Sequence, residues 1–391
     1  MEQSGKLKII IHLLIFMGMV ILFSSISVRL WGGKPEKVPL PKEWVFREEM
    51  TVAEFGKANQ LPNQLLKEVF GLTSKGDLQK KVSELRISKD QILSRASKAS
   101  VLEGEHESKN WLKIFVKFGL WFFFLGVIFF LVRKGRITSG NRKWALLASV
   151  ILFGIILGSD PSPMGTVKDA IALFASSGVV FPPRAIALTI FLILVVVANK
   201  FICTWGCQLG TLQDFVFRLN RDSKDRKGIF KQFKPSFRLS NTIRLVFFGI
   251  FVLVALLLKV DMIESIDPFK IFNPGKVALG GGVSIGALAV ASLFIYRPWC
   301  HFFCPFGLVG WIVEKVSLFK IKVNYETCIA CEACSRVCPS TVMEAILKRE
   351  RVIPDCFSCA TCIESCPTHS ISFDSGKRGK PPEGKFEKRE N

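Results

Sequence analysis

The sequence contains few histidines, and no cysteine lies outside a recognisable motif. Histidine occurs four times in 391 residues, at His12, His106, His301 and His369. No C-x2-C-H sequence is present, so covalent attachment of a c-type haem is disfavoured. A b-type haem would need two facing histidines within membrane spans, and His12 with His301 is a weak candidate for such a pair. The triple glycine at 280–282 is not followed by Lys-Ser/Thr and does not predict a phosphate-binding loop.

Acidic residues are also scarce relative to basic ones. The chain has 53 Lys and Arg against 32 Asp and Glu, a net charge of +21. Such a charge can indicate nucleic-acid binding. However, 49% of the residues are hydrophobic, the mean hydropathy is +0.35, and the basic residues cluster in short loops between apolar runs. This combination predicts an integral membrane protein in contact with the lipid bilayer, with no nucleic-acid partner.

Eight of the 12 cysteines form two copies of C-x2-C-x2-C-x3-C-P, at residues 328–339 and 356–367. This is the run that holds [4Fe–4S] clusters in bacterial ferredoxins, in which the fourth cysteine ligates the other cluster. A zinc ribbon does not need the third cysteine of each run, and a disulfide scaffold needs an oxidising compartment. The predicted ligands are Cys328, Cys331, Cys334 and Cys366 for the first cluster, and Cys356, Cys359, Cys362 and Cys338 for the second.

The other four cysteines form two C-x3-C pairs, Cys203 with Cys207 and Cys300 with Cys304. Each pair follows an apolar run and precedes a glycine by three residues, and an Asp-Pro lies upstream of each run, which indicates an internal duplication. Cysteines at i and i+4 share one helix face, so two pairs at one membrane face offer four thiolates to a third metal centre, expected to be iron–sulfur. A role in docking or cluster handling and plain packing of small apolar side chains are the alternatives.

Six apolar runs have the composition of membrane spans, for which roughly 20 apolar residues are needed. The first is interpreted as an uncleaved anchor rather than a signal peptide because no small-x-small site follows it cleanly. Residues 160–182 are expected to be re-entrant or interfacial. The predicted spans are 8–30, 111–132, 144–157, 185–202, 243–260 and 277–296.

The basic loops predict the orientation. Lys and Arg concentrate in the loops after the second span (133–143) and the fourth span (218–238), which places these loops in the cytoplasm. Both termini and the ferredoxin module are then cytoplasmic, in a multi-pass protein of the cytoplasmic (inner) membrane. Asp261, Glu264 and Asp267 would lie at the outer end of the fifth span, as solvated carboxylates or, beside a quinol site, as a proton acceptor.

The predicted fold is an α-helical polytopic membrane protein with a C-terminal α+β two-cluster ferredoxin module and a small all-α extracytoplasmic domain. A capping box at Thr51 and Glu54 begins the latter, which is expected to contain two related helical hairpins. Residues 305–320 predict an interfacial helix. The predicted domains are 1–30 (anchor), 31–111 (helical domain), 112–320 (membrane domain), 321–373 (ferredoxin) and 374–391 (disordered basic tail).

Residues 112–370 resemble the NapH/MauN-type membrane ferredoxins, and also the C-terminal half of NosR-type proteins and the CcoG-type proteins. The shared features are the two C-x3-C motifs and the two-cluster run that follows them. The resemblance implies a membrane electron-transfer subunit that takes electrons from quinol or a cytoplasmic donor. Gln208 replaces proline after Cys207, and no Ser/Thr-Gly-Ala-Thr flavin-attachment motif is evident. Residues 31–111 lie outside the resemblance.

The predicted function is electron transfer between the quinone pool or a cytoplasmic donor and a partner redox enzyme. No substrate-reducing site is evident, so catalytic or cytochrome subunits of a membrane redox complex are the expected partners. The chain itself is expected to be a non-catalytic component, such as part of a quinol dehydrogenase. His301 is a candidate hydrogen-bond donor to a cluster sulfur or a quinone oxygen. An assembly factor that supplies electrons or metal to a metalloenzyme is the alternative, and a redox-sensing regulator is a third hypothesis.

Overall fold

The computed structural model describes residues 2–31, 44–72, 74–85, 87–222, 224–225 and 227–386, and it is mostly helical. Helix α1 is Glu2–Leu30. The helical domain follows as α2 (Val52–Ala58), α3 (Asn63–Phe70), two 3-10 turns (Lys75–Gln79 and Val82–Leu85) and α4 (Lys89–Ser108). The predicted domain start at 31–43 lies almost wholly outside the described residues.

The predicted capping box at the start of α2 is confirmed. The Glu54 amide donates to the Thr51 hydroxyl over 3.2 Å, and the Thr51 amide donates to the Glu54 carboxylate over 2.8 Å. Apolar side chains of α2, α3 and α4, among them Phe55, Leu66 and Ile92, form a separate core. The second predicted hairpin is wrong, since two 3-10 turns and one long helix occupy that stretch.

Among the residues that the structure describes, three helices are long and apolar enough to cross a membrane. They are α1, α5 (Trp111–Arg133) and, farther along the chain, Phe237–Leu258. The run predicted at 144–157 forms α6 (Ser139–Ser149) and a π-helical turn (Val150–Ile156). The runs predicted at 185–202 and 277–296 form shorter apolar helices of 17 and 16 residues. Three of the six predicted spans thus have spanning length, and the count of six stays a prediction.

The remaining helices of the bundle follow in chain order. Asp160 and Pro161 lead into α7 (Pro163–Ser177), which fills the stretch predicted to be re-entrant. The others are α8 (Pro182–Ala198), α9 (Phe201–Trp205), α10 (Gln208–Leu219), α11 (Phe237–Leu258), α12 (Leu279–Phe294), α13 (Pro298–Phe302) and α14 (Pro305–Val313).

The ferredoxin module contains one antiparallel strand pair and three short helices. Strands β1 (Phe319–Val323) and β2 (Ile371–Ser375) pair with Ile321 opposite Phe373, and both of these side chains are buried. Between the strands lie α15 (Ala333–Val337), α16 (Val342–Leu347) and α17 (Thr361–Glu364). Strand β2 ends two residues beyond the predicted boundary at 373.

Aromatic side chains join this module to one end of the bundle. The ring of Phe129, near the end of α5, lies 5.1 Å from that of Phe319 and 5.6 Å from that of Phe373. Lys109, just before the other end of α5, forms an ion pair with Asp160 at 2.9 Å. The bundle therefore has a module end, at Phe129, and a far end, at Lys109 and Asp160.

Each C-x3-C pair lies in a helical hairpin that turns back into the bundle. We name residues 201–219 (α9 and α10) the first cysteine hairpin and residues 298–313 (α13 and α14) the second. Phe201 lies beside Phe129 at 6.0 Å, whereas the Gly206 carbonyl accepts a hydrogen bond from the Trp121 indole at 3.0 Å. Phe129 and Trp121 are eight residues apart on α5, about 12 Å along its axis. The chain therefore descends from the module end toward the middle of the bundle.

The tip of the second hairpin reaches the same depth. The Phe306 ring lies 6.5 Å from the ring of Phe191 on α8, which in turn lies 5.4 Å from Trp121. Each pair follows the end of the helix formed by its predicted span, α8 or α12, and the expectation that both pairs lie at one membrane face stays a prediction. Residues 305–320, predicted to form an interfacial helix, contribute α14 to this hairpin, then a 3-10 turn (Glu314–Val316) and the start of β1.

Candidate iron–sulfur centres

The four cysteines predicted to hold the first cluster line one cavity, although Cys366 is distant from the other three in sequence. Cys331 is exposed, Cys328 is half-buried, and Cys334 is buried. The Cys366 sulfur accepts a hydrogen bond from the Ser370 amide at 3.3 Å. Burial raises the pKa of the Cys334 thiol to about 12. This thiol therefore needs a bound cation to become a thiolate near neutral pH.

The four cysteines predicted to hold the second cluster, Cys338, Cys356, Cys359 and Cys362, line another cavity. Burial raises the pKa of Cys356 to about 12. Burial acts on Cys359 in the same direction, but Arg218 and then Arg142 outweigh it, and the pKa of that thiol is lowered.

The backbone of both runs has the same unusual conformation. Ala330 and Glu332 in the first run, and Ser358 and Ala360 in the second, have φ values of 53°, 55°, 51° and 64°. None is glycine, so each adopts the left-handed region at a cost. Left-handed residues that alternate with others are typical of anion-binding nests, in which successive backbone amides face a common point. A cluster with four thiolates is anionic, so this cradle and its four cysteines fit a [4Fe–4S] group.

Within the part of the chain that the structure describes, no group of three or more His, Cys, Asp or Glu side chains is arranged to hold a single metal ion. A cubane cluster binds each cysteine through a different iron. Its four sulfur ligands therefore surround the group without converging on one point.

The four cysteines of the C-x3-C pairs are buried, with exposed fractions of 6 to 8%, and close enough to interact electrostatically with one another. They do not lie on two helix faces as predicted, because Cys207 precedes α10 and Cys304 precedes α14 as N-cap residues. Gln213 joins the hairpins: its side-chain carbonyl accepts from the Trp299 amide at 2.9 Å, and its amide nitrogen lies 3.9 Å from the Cys300 sulfur.

Buried arginines stabilise both hairpins in matching ways. Arg297 donates to the carbonyl of Cys203 at 2.5 Å and to Asp214 at 2.6 Å. Arg244 donates to the carbonyl of Cys300 at 3.4 Å and to Asp355 at 2.9 Å. The Nε atoms of both arginines are buried without a hydrogen-bond partner. Each guanidinium thus keeps an unused donor beside the cysteines.

Phe357, between two predicted ligands of the second cluster, connects the module to the cysteine hairpins. Its carbonyl accepts a short hydrogen bond from the Thr204 hydroxyl. Its ring lies 5.1 Å from the Arg297 guanidinium and 5.3 Å from the His301 ring. The second cluster site therefore abuts the C-x3-C site, whereas the exposed Cys331 marks the first as the outer one.

A network of buried ion pairs was missed by sequence reasoning. Arg142 and Arg218 both pair with Asp225, and Arg218 also pairs with Asp214. We counted Arg142, Arg218 and Arg221 among the solvated basic loops that set the membrane orientation, yet all three are buried. Asp214 within the apolar pattern of α10 was the one available signal, since a buried carboxylate needs a partner.

The acidic residues at the end of α11 are not simply solvated as we expected. Buried Lys168 lies 2.8 Å from both Asp261 and Glu264 and 3.7 Å from Asp267. Burial raises the pKa of Asp267 to about 6, against the opposing charge of Lys168. Of the two histidines weighed for haem, His12 is exposed on α1 and His301 is buried against Phe357.

Comparisons with known proteins agree with this geometry. A family model described as a 4Fe-4S dicluster domain matches residues 320–367. A model described as a 4Fe-4S binding domain matches twice, at 180–227 and 277–324, once over each C-x3-C pair. The two matches of this second model support the internal duplication. No solved structure matches the chain.

Curated relatives match parts of the chain. The putative electron transport protein YccM of Escherichia coli is 29% identical over 47% of this chain and 53% of its own length. The ferredoxin-type protein NapH of Haemophilus influenzae is 29% identical over 61% of this chain and 81% of its own. The regulatory protein NosR of Pseudomonas aeruginosa is 26% identical over 41% of this chain and 22% of its own. The chain thus spans about half the length of the YccM relative.

The fold and the cysteine sites define a mostly helical, ferredoxin-type iron–sulfur protein with three apolar helices of spanning length in the described part of the chain. The predicted resemblance is confirmed: the relatives include YccM, NapH and NosR, and together with the 4Fe-4S domain matches they are consistent with the NapH/NosR-type family. These relatives support an iron–sulfur electron-transfer role.

Proposed function

We propose that the chain is a membrane-bound electron-transfer subunit that carries electrons between a donor at its ferredoxin module and a partner redox enzyme. The observation that carries the proposal is the order of the sites. The first cluster site reaches solvent at Cys331, and the second is buried and in contact with the cysteine hairpins through Phe357. Electrons that pass along this order move from the surface into the bundle.

The first cluster is assigned Cys328, Cys331, Cys334 and Cys366, and the second Cys356, Cys359, Cys362 and Cys338. Each set lines its own cavity. A [4Fe–4S] group bound there supplies reversible one-electron chemistry. The chain contributes thiolates, cradling amides and burial, and Thr361, whose hydroxyl lies 3.4 Å from the Cys359 sulfur, is placed to donate to that sulfur.

We assign a third iron–sulfur centre to Cys203, Cys207, Cys300 and Cys304. Three buried cations, Lys200, Arg244 and Arg297, flank this site and share two carboxylates, Asp355 and Asp214, the latter also paired with Arg218. Unused buried Nε donors of two of these cations favour an anionic occupant, because an unsatisfied buried donor costs about 1 to 3 kcal/mol. A set of thiolates on iron supplies that charge.

In the membrane, we place both termini and the ferredoxin module in the cytoplasm and residues 31–111 outside. The exchange partner at the far end is a quinone or a cytochrome or catalytic subunit of the complex. Protease treatment of sealed vesicles tests this placement: the module should be cleaved in inside-out vesicles only, and cleavage in right-side-out vesicles would contradict it.

The function is tested by iron and acid-labile sulfide analysis of anaerobically purified protein. The quadruple Cys203/Cys207/Cys300/Cys304→Ser variant is compared with the native chain and with a Cys338/Cys356/Cys359/Cys362→Ser variant. Two four-iron clusters give about eight irons. More than eight in the native chain and about eight in the first variant would support the third centre, and about eight in both would overturn it. Protein without reducible clusters would refute electron transfer.

A further inference from the structure

The two ferredoxin cluster sites differ in the charges around them. The first cavity is lined by its four cysteines, by apolar and hydroxyl side chains, and by one charged residue, the acidic Glu332. Cys331 is exposed and neighbouring Ile329 has 63% of its surface exposed. The first site therefore has water on one side and a negative charge in its wall.

Arginines lie against the second site. Arg142 donates through Nε to the carbonyl of Cys359 at 3.0 Å. Both terminal nitrogens of Arg218 lie 3.5 Å from the Thr361 hydroxyl, which contacts the Cys359 sulfur. Arg221 donates to the carbonyl of Val337, the residue before Cys338, at 3.4 Å. Guanidinium groups therefore lie beside two of the four ligands, Cys359 and Cys338.

In the ion pairs that the structure describes for these arginines, positive charge is in excess. Four guanidiniums (Arg142, Arg218, Arg221 and Arg297) share three carboxylates (Asp214, Asp225 and Glu364). The arginines and both aspartates are buried, so water screens the excess positive charge weakly. Because the ion pairs fix these groups in place, their field is present before an electron arrives.

Adding an electron to a cluster adds one negative charge. Burial of the second cluster opposes that charge, whereas the excess of fixed cations favours it, and charge and burial are both known determinants of cluster potential. The cations act within contact distance of two ligands, so we expect them to outweigh burial. The acidic wall of the first site acts in the opposite direction.

We propose that the second cluster has the higher reduction potential, so that an electron accepted at the exposed first cluster moves inward to the second, beside Phe357 and the cysteine hairpins. The proposal rests on the proposed function, since it requires both clusters. In this step the first cluster loses one electron and the second gains it, and no bond or proton changes. The arginines affect the transfer only through their charge, which raises the reduction potential of the second cluster.

Arg221 allows the sharpest test because it lies at the edge of the network. In Arg221→Gln the positive charge is lost while an amide donor remains for Val337, and in Arg221→Lys the charge is kept. The control is Arg238→Gln, which removes the same charge from an exposed position on α11. Redox titration followed by electron paramagnetic resonance measures the midpoints of both ferredoxin clusters in the Cys203/Cys207/Cys300/Cys304→Ser background, which removes the signal of the proposed third centre, and iron analysis verifies cluster content.

We expect Arg221→Gln to lower one midpoint, the higher of the two in the native chain, and to leave the other in place. A tenfold change in the equilibrium constant of a one-electron transfer corresponds to about 59 mV. We expect the midpoint to fall by about this amount. Arg221→Lys and Arg238→Gln should leave both midpoints near their native values. A fall in the lower native midpoint, equal shifts of both, or no shift would overturn the proposal. Absence of clusters from the native protein would instead refute the proposed function.

Discussion

In both cysteine hairpins a buried arginine contacts the cysteine backbone, but the carboxylate that pairs with the arginine comes from a different part of the chain in each. In the first, the arginine that contacts the cysteine backbone pairs with Asp214, a residue of the same hairpin. In the second, the corresponding arginine pairs with Asp355, which belongs to the ferredoxin module. Lys200 also joins the second hairpin to the module, since it donates to the Gly307 carbonyl at 2.6 Å and pairs with Asp355. Buried ion pairs to Asp355 therefore join the second hairpin to the module, whereas the first hairpin contacts the module through the hydrogen bond from Thr204 to the Phe357 carbonyl.

The largest difference between the two hairpins should appear in hydrogen exchange after each of these carboxylates is removed. Asp355→Asn leaves Lys200 and Arg244 without their buried partner, which typically costs 3 to 5 kcal/mol. We expect faster hydrogen exchange in both the second hairpin and the loop at 355–358, with a smaller change in the first hairpin. Asp214→Asn, the matched variant, should increase exchange within the bundle. Equal exchange patterns for the two variants would contradict the comparison.

The two Asp-Pro loops upstream of the hairpins also differ in how their aspartates are paired. We expect this difference to appear in the pH dependence of stability. Asp160 pairs with Lys109, whereas the pKa of buried Asp267 is raised to about 6. Because the native state then binds more protons than the unfolded state, stability falls as pH rises from about 4 to about 7. At 1.36 kcal/mol per tenfold change in proton affinity, the loss is about 3 kcal/mol.

Asp267→Asn should remove this loss, so its stability relative to the native chain should rise with pH over the same range. Thermal unfolding in detergent at several pH values measures this difference. Asp374→Asn, at a half-exposed carboxylate of β2, is the control and should show no such trend. A pH-independent effect of Asp267→Asn would mean that the carboxyl group titrates normally.

Glycines at matching positions permit the tight turn of each hairpin. A Cβ at Gly210 would collide with the carbonyl oxygen of Cys203, and one at Gly307 would lie 2.7 Å from that of Cys300. Because backbone atoms cannot move aside, we expect Gly210→Ala to cost about 1 to 3 kcal/mol or more, and Gly307→Ala somewhat less. Gly249→Ala on α11 has open space around it and should be neutral or stabilising. Similar melting temperatures for all three variants would refute the turn argument.

The smallest effect is expected where the two motifs differ in sequence. Gln208 and Pro305 each begin a helix after an N-cap cysteine, and the φ and ψ of these cysteines agree, at −73° and 119° for Cys207 and −72° and 117° for Cys304. Proline suits the first position of a helix, so Gln208→Pro should change stability by less than about 1 kcal/mol. Chemical denaturation measures this change, and a loss above 2 kcal/mol would show that the buried Gln208 side chain is needed.

Much of the local organisation was predictable from the sequence. The ferredoxin runs, the capping box at Thr51 and the apolar helices depend on residues close together in the chain, whose spacing reports directly on backbone conformation. The depth of the C-x3-C pairs was not predictable, because a run of apolar residues does not reveal where the chain reverses. Arg142 and Arg218 were misinterpreted for a similar reason, since a basic residue in a short loop has the same pattern whether it is solvated or buried.

The sequence by itself determined which cysteines are candidates for cluster binding and that the chain contains long apolar helices. Both properties follow from composition and spacing over a few residues. Only the tertiary structure decided that Phe357 meets the cysteine hairpins and that arginines lie beside the second cluster site. These arrangements join residues tens to hundreds of positions apart, and packing and the pairing of buried charges select them.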